Sequence, residues 1–106
     1  MTALKKKCET CEEQLLRMCK NIAEEITEGK KDPAIWMYDV YDVEWITHND
    51  HSYKAARLMV AGGGPNIWVN LMDNTVDGYW GNDRVKWGFC DEIGLDDYLE
   101  ELHSCK

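Results

Sequence analysis

The sequence predicts an α+β fold: a two-layer sandwich in which a five-stranded antiparallel meander carries an N-terminal and a C-terminal helix on one face, in the order α-β-β-β-β-β-α. Two patterns predict it. Apolar residues near both ends of the chain recur at the three- and four-residue steps of a helix. Between them, apolar and polar residues alternate with the period of a strand, interrupted by clusters of turn-forming residues. A chain of 106 residues has the typical length of one domain, which we predict to span residues 1–106.

The first helix is predicted from an apolar stripe and from signals at both of its ends. Thr10 and Glu13 have the spacing of a capping box, which places the start of the helix at Thr10. Gly29 and the Asp32-Pro33 pair predict its end, because glycine favours the left-handed cap and proline cannot continue a helix. The residues of the stripe are Cys8, Cys11, Leu15, Cys19, Ile22 and Ile26.

The middle of the chain, from about residue 38 to residue 89, is predicted to form five strands. Turns at residues 48–52, 62–65, 73–74 and 81–84 divide it. If each turn joins neighbouring strands in a hairpin, all four hairpins place the apolar residues on the same face, and a one-residue slip in any of them would invert a strand. The same register opposes Glu44 to Arg57, a favourable cross-strand pair. The pairs predicted across the four turns include Trp45 with Ala56, Leu58 with Val69, Leu71 with Val76, and Trp80 with Val85.

The second helix is predicted near the C-terminus. Leu95, Leu99 and Leu102 recur at four and three residues, as on one face of a helix. Asp96 and Asp97 fall in its first turn, where negative charge suits the helix dipole. Each helix therefore has one apolar stripe with which to cover the sheet.

The face of the sheet turned away from the helices, here called the outer face, is predicted to be a binding surface. Met59, Trp68 and Tyr79 are expected in one row across three strands, and Trp, Tyr and Met are enriched in the cores of protein interfaces. Two alternatives are that the linker 29–37 covers these side chains and that they form the seam of a homodimer. Tyr53 is also assigned to this face. The predicted partner-binding residues are Asp42, Glu44, Arg57, Met59, Trp68, Asn70, Asp77 and Tyr79.

The charge of the chain indicates which partners are disfavoured. Twenty acidic residues against twelve basic ones give a formal net charge of -8. Such a chain repels phosphate backbones and anionic lipid, so we expect neither direct nucleic-acid binding nor membrane binding. No run of about 18 apolar residues is present to span a membrane. A basic protein is the electrostatically favoured partner.

The cysteines offer a weak metal or redox motif. Cys8 and Cys11 are spaced as in zinc sites, and His103 with Cys105 would supply a second pair if the helix termini met. The alternative is that Cys11 and Cys19 are small apolar residues of a helix core. Five cysteines are an odd number, and the N-terminal residues lack the apolar run of a signal peptide, so we expect a cytoplasmic protein with reduced thiols and no required cofactor.

No motif points clearly to catalysis. The GGGP segment at residues 62–65 lacks the Lys-Ser/Thr of a phosphate-binding loop, and we predict a hairpin turn there. His48, Asp50 and His51 lie together on a turn, but nothing local pairs them with Cys90 as a nucleophile. The sequence therefore favours a protein that is not an enzyme.

These observations lead to one expected function and two alternatives. The expectation is a non-catalytic acidic protein that sequesters or inhibits a basic protein, such as an enzyme that handles nucleic acid. Immunity proteins, antitoxins and phage-encoded nuclease inhibitors act in this way, and the analogy rests on size, charge and fold class alone. The alternatives are a small zinc- or thiol-dependent protein using Cys8 and Cys11, and a sheet face that binds a small ligand around Trp68.

Overall fold

A computed structural model describes residues 10–105 and confirms the predicted α+β class. The helices are α1 (Cys11–Glu28), a short α2 (Pro33–Trp36) and α3 (Leu95–Ser104). All neighbouring strands pair antiparallel in the order β1-β2-β3-β4-β5, so the sheet is the predicted meander. None of the helices within residues 10–105 is long and apolar enough to cross a membrane. The strands are β1 (Asp42–Thr47), β2 (Tyr53–Ala61), β3 (Asn66–Asn70), β4 (Thr75–Trp80) and β5 (Asp83–Gly88).

Helix α1 begins and ends where its sequence predicts. The Thr10 hydroxyl accepts the backbone N–H of Glu13 at 3.1 Å, and the Glu13 carboxylate accepts the N–H of Thr10 at 3.0 Å, which completes a capping box. Gly29 ends the helix in the left-handed conformation at φ 68°. A Cβ at Gly29 would also lie 2.8 Å from Cβ of Glu92, so both backbone conformation and space require glycine there.

Helix α3 is capped by an aspartate outside the helix itself. One carboxylate oxygen of Asp91 accepts the N–H groups of Gly94 at 3.0 Å and Leu95 at 2.8 Å, and the other accepts that of Asp96 at 2.9 Å. These are N–H groups that a helix N-terminus leaves without an internal partner, and a negative charge there also suits the helix dipole.

The core lies between the sheet and the helices. Helix α1 covers β4 and β5, whereas α3 covers β2, so each helix shields one half of the sheet. The tightest contact is at Gly78, where an added Cβ would lie 2.6 Å from Sγ of Cys19 and 2.8 Å from Cδ1 of Leu15. Fully buried core side chains include Leu15, Cys19, Ile26, Leu58, Ile67, Val69, Val76, Leu95 and Leu99.

The register is as predicted over most of β1, β2 and β3, and it is displaced by two residues at β4 and β5. Near the end of β2 an irregularity shifts the pairing, so that Ala61 rather than Val60 opposes Ile67. Trp45 opposes Ala56, and Leu58 opposes Val69, as expected. Val76 opposes Val69 where Leu71 was predicted, because residues 71–74 form a longer turn than the Asp73-Asn74 pair alone. The pairs between β4 and β5 are also displaced by two residues from the prediction, because the turn between these strands contains only Gly81 and Asn82. Displacement by an even number keeps the side chains of β4 and β5 on their predicted faces. The observed β4–β5 pairs include Gly78 with Val85 and Val76 with Trp87, and not the predicted Trp80 with Val85.

A β-bulge in β2 changes the face of one predicted residue. Ile46 opposes Ala55, but Thr47 opposes Tyr53, so Lys54 is an extra residue between the two pairs. The prediction that Tyr53 belongs to the outer face is wrong, because its hydroxyl donates to Asp96 of α3 at 2.7 Å.

The linker between α1 and β1 lies on the helix side of the sheet. Its α2 segment is capped by Asp32, whose side chain accepts the N–H of Ala34 at 3.1 Å. Trp36 is buried in the main core, and a small cavity beside it is also lined by Ile22 of α1 and Val60 of β2. The alternative that residues 29–37 cover the outer face is therefore wrong, and the linker leaves that face open.

Candidate functional site

The outer face presents one side chain from each strand in a single row. Asp42 of β1 opposes Met59, Met59 opposes Trp68, Trp68 opposes Asp77, and Asp77 opposes Lys86 of β5. The prediction that Tyr79 completes the row of Met59 and Trp68 is wrong. The two-residue displacement between β3 and β4 puts Asp77 there instead, and Tyr79 lies next to Asn66 and Arg84.

Arg57 is fixed at the centre of this face between an aromatic ring and a carboxylate. Its Cζ lies 4.6 Å from the centroid of the Trp68 ring, within the range of a cation–π contact. Its Nη1 donates to Oε1 of Glu44 at 2.7 Å, and this is the cross-strand pair that the sequence predicts. A side chain held in this way loses little conformational entropy when a partner binds. The three residues therefore form a preorganised group on an open sheet.

Asp77 is the buried polar residue of the outer face. Only 4% of Asp77 is exposed, although its side chain lies on the face of the sheet that is turned away from the helices. Its Oδ1 accepts the Thr75 hydroxyl at 2.8 Å, and its Oδ2 accepts a weak hydrogen bond from Nδ2 of Asn70 at 3.4 Å. Nζ of Lys86 lies 3.8 Å away. A buried carboxylate needs such partners, so Asp77 orders its neighbours on three strands.

Asn70 connects this network to the turn that follows β3. Its Oδ1 accepts the backbone N–H groups of Met72 at 2.9 Å and Asp73 at 3.4 Å. The same side chain donates to Asp77, so it fixes both the turn and the centre of the face. Asn74 completes the turn at φ 58°, a conformation that asparagine tolerates.

The charges of the outer face are divided between its two edges. Asp42 and Glu44 lie on β1, whereas Arg84 and Lys86 lie on β5. A shallow cavity of about 270 Å³ beside the basic edge is lined by Tyr79, Arg84 and Lys86, among others. Sequence reasoning missed this division, although Arg84 and Lys86 are two residues apart on a strand. Much of the acidic excess lies instead on the helices, at Glu12, Glu13, Glu24, Glu25, Glu28, Asp96, Asp97, Glu100 and Glu101.

The proposed zinc ligands are not assembled among the residues that the structure describes. Cys8 lies outside these residues, and Cys11 and Cys105 are both exposed. The His103 ring packs against Trp45 and Tyr53, at centroid distances of 5.3 and 6.1 Å. Residues 10–105 contain no group of three His, Cys, Asp or Glu residues that could hold a metal ion.

The remaining candidate motifs have structural roles. Residues 62–65 lie in the hairpin turn between β2 and β3, as predicted, with Gly63 at φ 96°. In the turn after β1, Oδ1 of Asp50 accepts the N–H and the hydroxyl of Ser52 at 3.1 and 2.6 Å. Of the three cysteines assigned to the apolar stripe of α1, Cys8 lies outside the described residues, Cys19 is buried, and Cys11 is exposed because it begins the helix.

Two groups on the helix side, the buried Cys19 thiol and the half-buried Tyr53 hydroxyl, hold their protons tightly. Burial, aided by the charge of Asp77, raises the pKa of the Cys19 thiol to about 11. Burial is also the largest cause that raises the pKa of Tyr53 above its ordinary value, followed by its hydrogen bond to Asp96. Both groups therefore favour the folded state only while they are protonated.

This protonation predicts a loss of stability in alkali. The contribution is complete below the unfolded-state pKa values, about 8.5 for cysteine and 10 for tyrosine, and is lost as the pH rises through the higher folded-state values. The Cys19 thiol should lower the free energy of unfolding by on the order of 2 kcal/mol between pH 8.5 and 11. Urea unfolding at a series of pH values measures this loss. Cys19→Ala should flatten the dependence of the free energy of unfolding on pH from about pH 8.5 upward, and Tyr53→Phe should flatten it from about pH 10 upward. Parallel pH dependences for the wild type and both variants would contradict this prediction.

The chain matches no protein family, no curated protein and no solved structure at a significant level. What the fold and the site define is an α+β protein with one sheet face covered by helices and the other face open, charge-divided and centred on Trp68 and Arg57.

Proposed function

We propose that this protein is a non-catalytic binding module that captures a basic protein through the outer face of its sheet. The observation that carries the proposal is the group formed by Trp68, Arg57 and Glu44. Trp and Arg are the residues in which binding energy concentrates at protein interfaces, and here they are stacked on each other before any partner arrives. The linker does not cover them.

Long-range electrostatics favour a basic partner. At distances beyond the contact itself, the partner experiences the net charge of -8 more than the arrangement of single residues. The acids of both helices thus speed association with a positive protein and disfavour an acidic one. In contact, the β1 edge with Asp42 and Glu44 is the part of the outer face that suits basic side chains.

Sequestration follows from this charge if the partner handles nucleic acid. Such proteins hold phosphate groups with lysine and arginine side chains. An acidic protein seated on the same side chains competes with the nucleic acid and needs no catalytic group of its own. Inhibition by occupation is therefore the mode of action that the proposal implies.

Affinity capture from the native lysate tests the proposal. The tagged protein should retain a basic protein in a low-salt wash and lose most of it in a high-salt wash, because screening weakens attraction between exposed charges. Mass spectrometry identifies the retained protein. Retention only of acidic proteins, or of none, would contradict the proposed function.

A further inference from the structure

A second surface with binding character lies on the opposite side of the sheet from Trp68. It is a groove of about 530 Å³ between the C-terminal half of α1 and the edge strand β5, here called the α1–β5 groove. The side chain of Trp87 forms the aromatic wall of the groove, and 37% of this residue is exposed. The groove is lined by Ala23, Glu24, Thr27, Glu28, Trp87 and Gly88.

The Trp87 ring already serves as a contact for a positive charge. Nζ of Lys20 lies 5.6 Å from its centroid, within the range of a cation–π contact. Glu24 is four residues after Lys20 on α1, the spacing of a helical ion pair, yet the two residues form no salt bridge within the described part of the chain. The ammonium group of Lys20 instead lies over the ring, as that of a bound partner could.

The carboxylates of the groove are in an unfavourable position. Glu24 and Glu28 are four residues apart in the last turns of α1, where like charges repel and where the negative end of the helix dipole also disfavours them. Glu25 is paired with Lys31 at 2.6 Å, but neither Glu24 nor Glu28 has an ion pair within residues 10–105. Local conflicts of this kind are expected at functional sites, because a bound cation relieves them.

The groove runs along a free edge of the sheet. The N–H of Phe89 donates to the carbonyl of Asn74 on the β4 side at 3.0 Å. Because pairing alternates along an antiparallel strand, the backbone groups of Arg84, Lys86 and Gly88 point away from β4. No strand among residues 10–105 pairs with this edge. Such an edge accepts an extended peptide as an additional strand.

We infer that the free edge of β5 and the α1–β5 groove together bind an extended basic segment of a protein partner. The segment adds as a sixth strand, and its alternate lysine or arginine side chains enter the groove between Trp87 and the carboxylates of Glu24 and Glu28. The intervening side chains lie on the outer face beside Arg84 and Lys86, so they are neutral or acidic. The inference goes beyond the proposed function, since it concerns a different surface and a local sequence pattern in the partner.

Two synthetic peptides of equal composition test the inference. One alternates lysine and threonine over ten residues, and the other carries five lysines followed by five threonines. Binding is followed by NMR at low salt. The alternating peptide should slow hydrogen exchange at the amides of Arg84, Lys86 and Gly88 by about tenfold or more, shift the indole N–H signal of Trp87, and bind about tenfold more tightly than the block peptide. Equal binding of both peptides, or no protection at these amides, would overturn the inference.

Matched variants separate the groove from general charge attraction. Glu24→Gln/Glu28→Gln and Trp87→Ala should each raise the Kd of the alternating peptide about tenfold. Asp97→Asn/Glu101→Gln removes the same two charges at the same spacing from exposed positions on α3, and should change the Kd less than about twofold. An equal loss in this control would overturn the inference. Trp68→Ala should leave the peptide affinity unchanged, so the outcome is independent of the proposed function.

Discussion

Replacing Gly78 with valine should lower the free energy of unfolding by about 3 kcal/mol, the upper range for overpacking a core. Even a Cβ would lie 2.6 Å from Sγ of Cys19 and 2.8 Å from Cδ1 of Leu15. Both side chains are completely buried, so they have little room to move. Helix α1 must then shift away from β4, which loosens the half of the core that it covers. Urea unfolding of the wild type and the variant measures the loss.

A double-mutant cycle identifies the contact responsible. Gly78→Ala should cost about 2 kcal/mol in the wild-type background and clearly less when Cys19 is also alanine, because the nearest atom has been removed. Gly64→Ala is the control: no atom lies within 4 Å of its added Cβ, and its φ is not positive. It should change stability by less than about 0.5 kcal/mol. A similar cost at Gly64 and Gly78 would show that α1 does not pack on β4 as described.

Replacing Trp68 with alanine should weaken binding of the captured partner about 30-fold or more. This corresponds to about 2 kcal/mol, the loss expected for an aromatic residue at the centre of an interface. The substitution removes the ring and also the surface against which Arg57 is held. Isothermal titration with the purified partner measures the change. Tyr38→Ala provides the control, because Tyr38 is 86% exposed and precedes β1, so it belongs to none of the five strands.

Two results would count against this role of Trp68. Equal affinities of Trp68→Ala and the wild type would exclude the outer face as the main contact. Unfolding of Trp68→Ala in the absence of partner would show instead that Trp68 mainly stabilises the sheet. Circular dichroism of the free variant distinguishes the two, and we expect a cooperative unfolding transition close to that of the wild type.

The alternative to a basic partner is a second copy of this protein, bound through the outer face as a homodimer. A two-fold axis parallel to the strands would place the acidic β1 edge of one copy over the basic β5 edge of the other, since the charges are divided between the edges. Such a dimer would make the sedimentation coefficient rise with protein concentration and fall with salt. We expect a monomer at micromolar concentration, because the proposed function requires the face to be free for its partner.

The features that sequence predicts best here depend on local patterns. The cap at Thr10, the end of α1 at Gly29 and the pairing of Glu44 with Arg57 follow from spacing alone, and the structure has them all. Apart from Tyr53 at the bulge in β2, the faces of the strand residues are predicted correctly even where the pairing is not. Displacement by two residues between β3 and β4 alters which residues are neighbours but not which side they occupy.

The features that sequence does not predict depend on contacts between distant residues. The bulge at Lys54 turns Tyr53 toward Asp96, a partner more than forty residues away, and no local signal marks it. Asp77 is buried by neighbours on the adjacent strands. The predicted register differs from the observed one by two residues there, so it did not place Trp68 and Lys86 opposite Asp77. The position of Trp36 is decided by the core on the helix side, not by the composition of the linker.

The indole N–H signals of the five tryptophans provide the most direct test of the outer face as the binding surface. Trp68 lies on the outer face and Trp87 borders the α1–β5 groove, whereas Trp36, Trp45 and Trp80 pack against the core on the helix side. When the purified partner is titrated into ¹⁵N-labelled protein, the Trp68 signal should shift or broaden while those of the three core tryptophans stay in place. Saturable binding that leaves the Trp68 signal unchanged would show that the partner binds elsewhere than on the outer face.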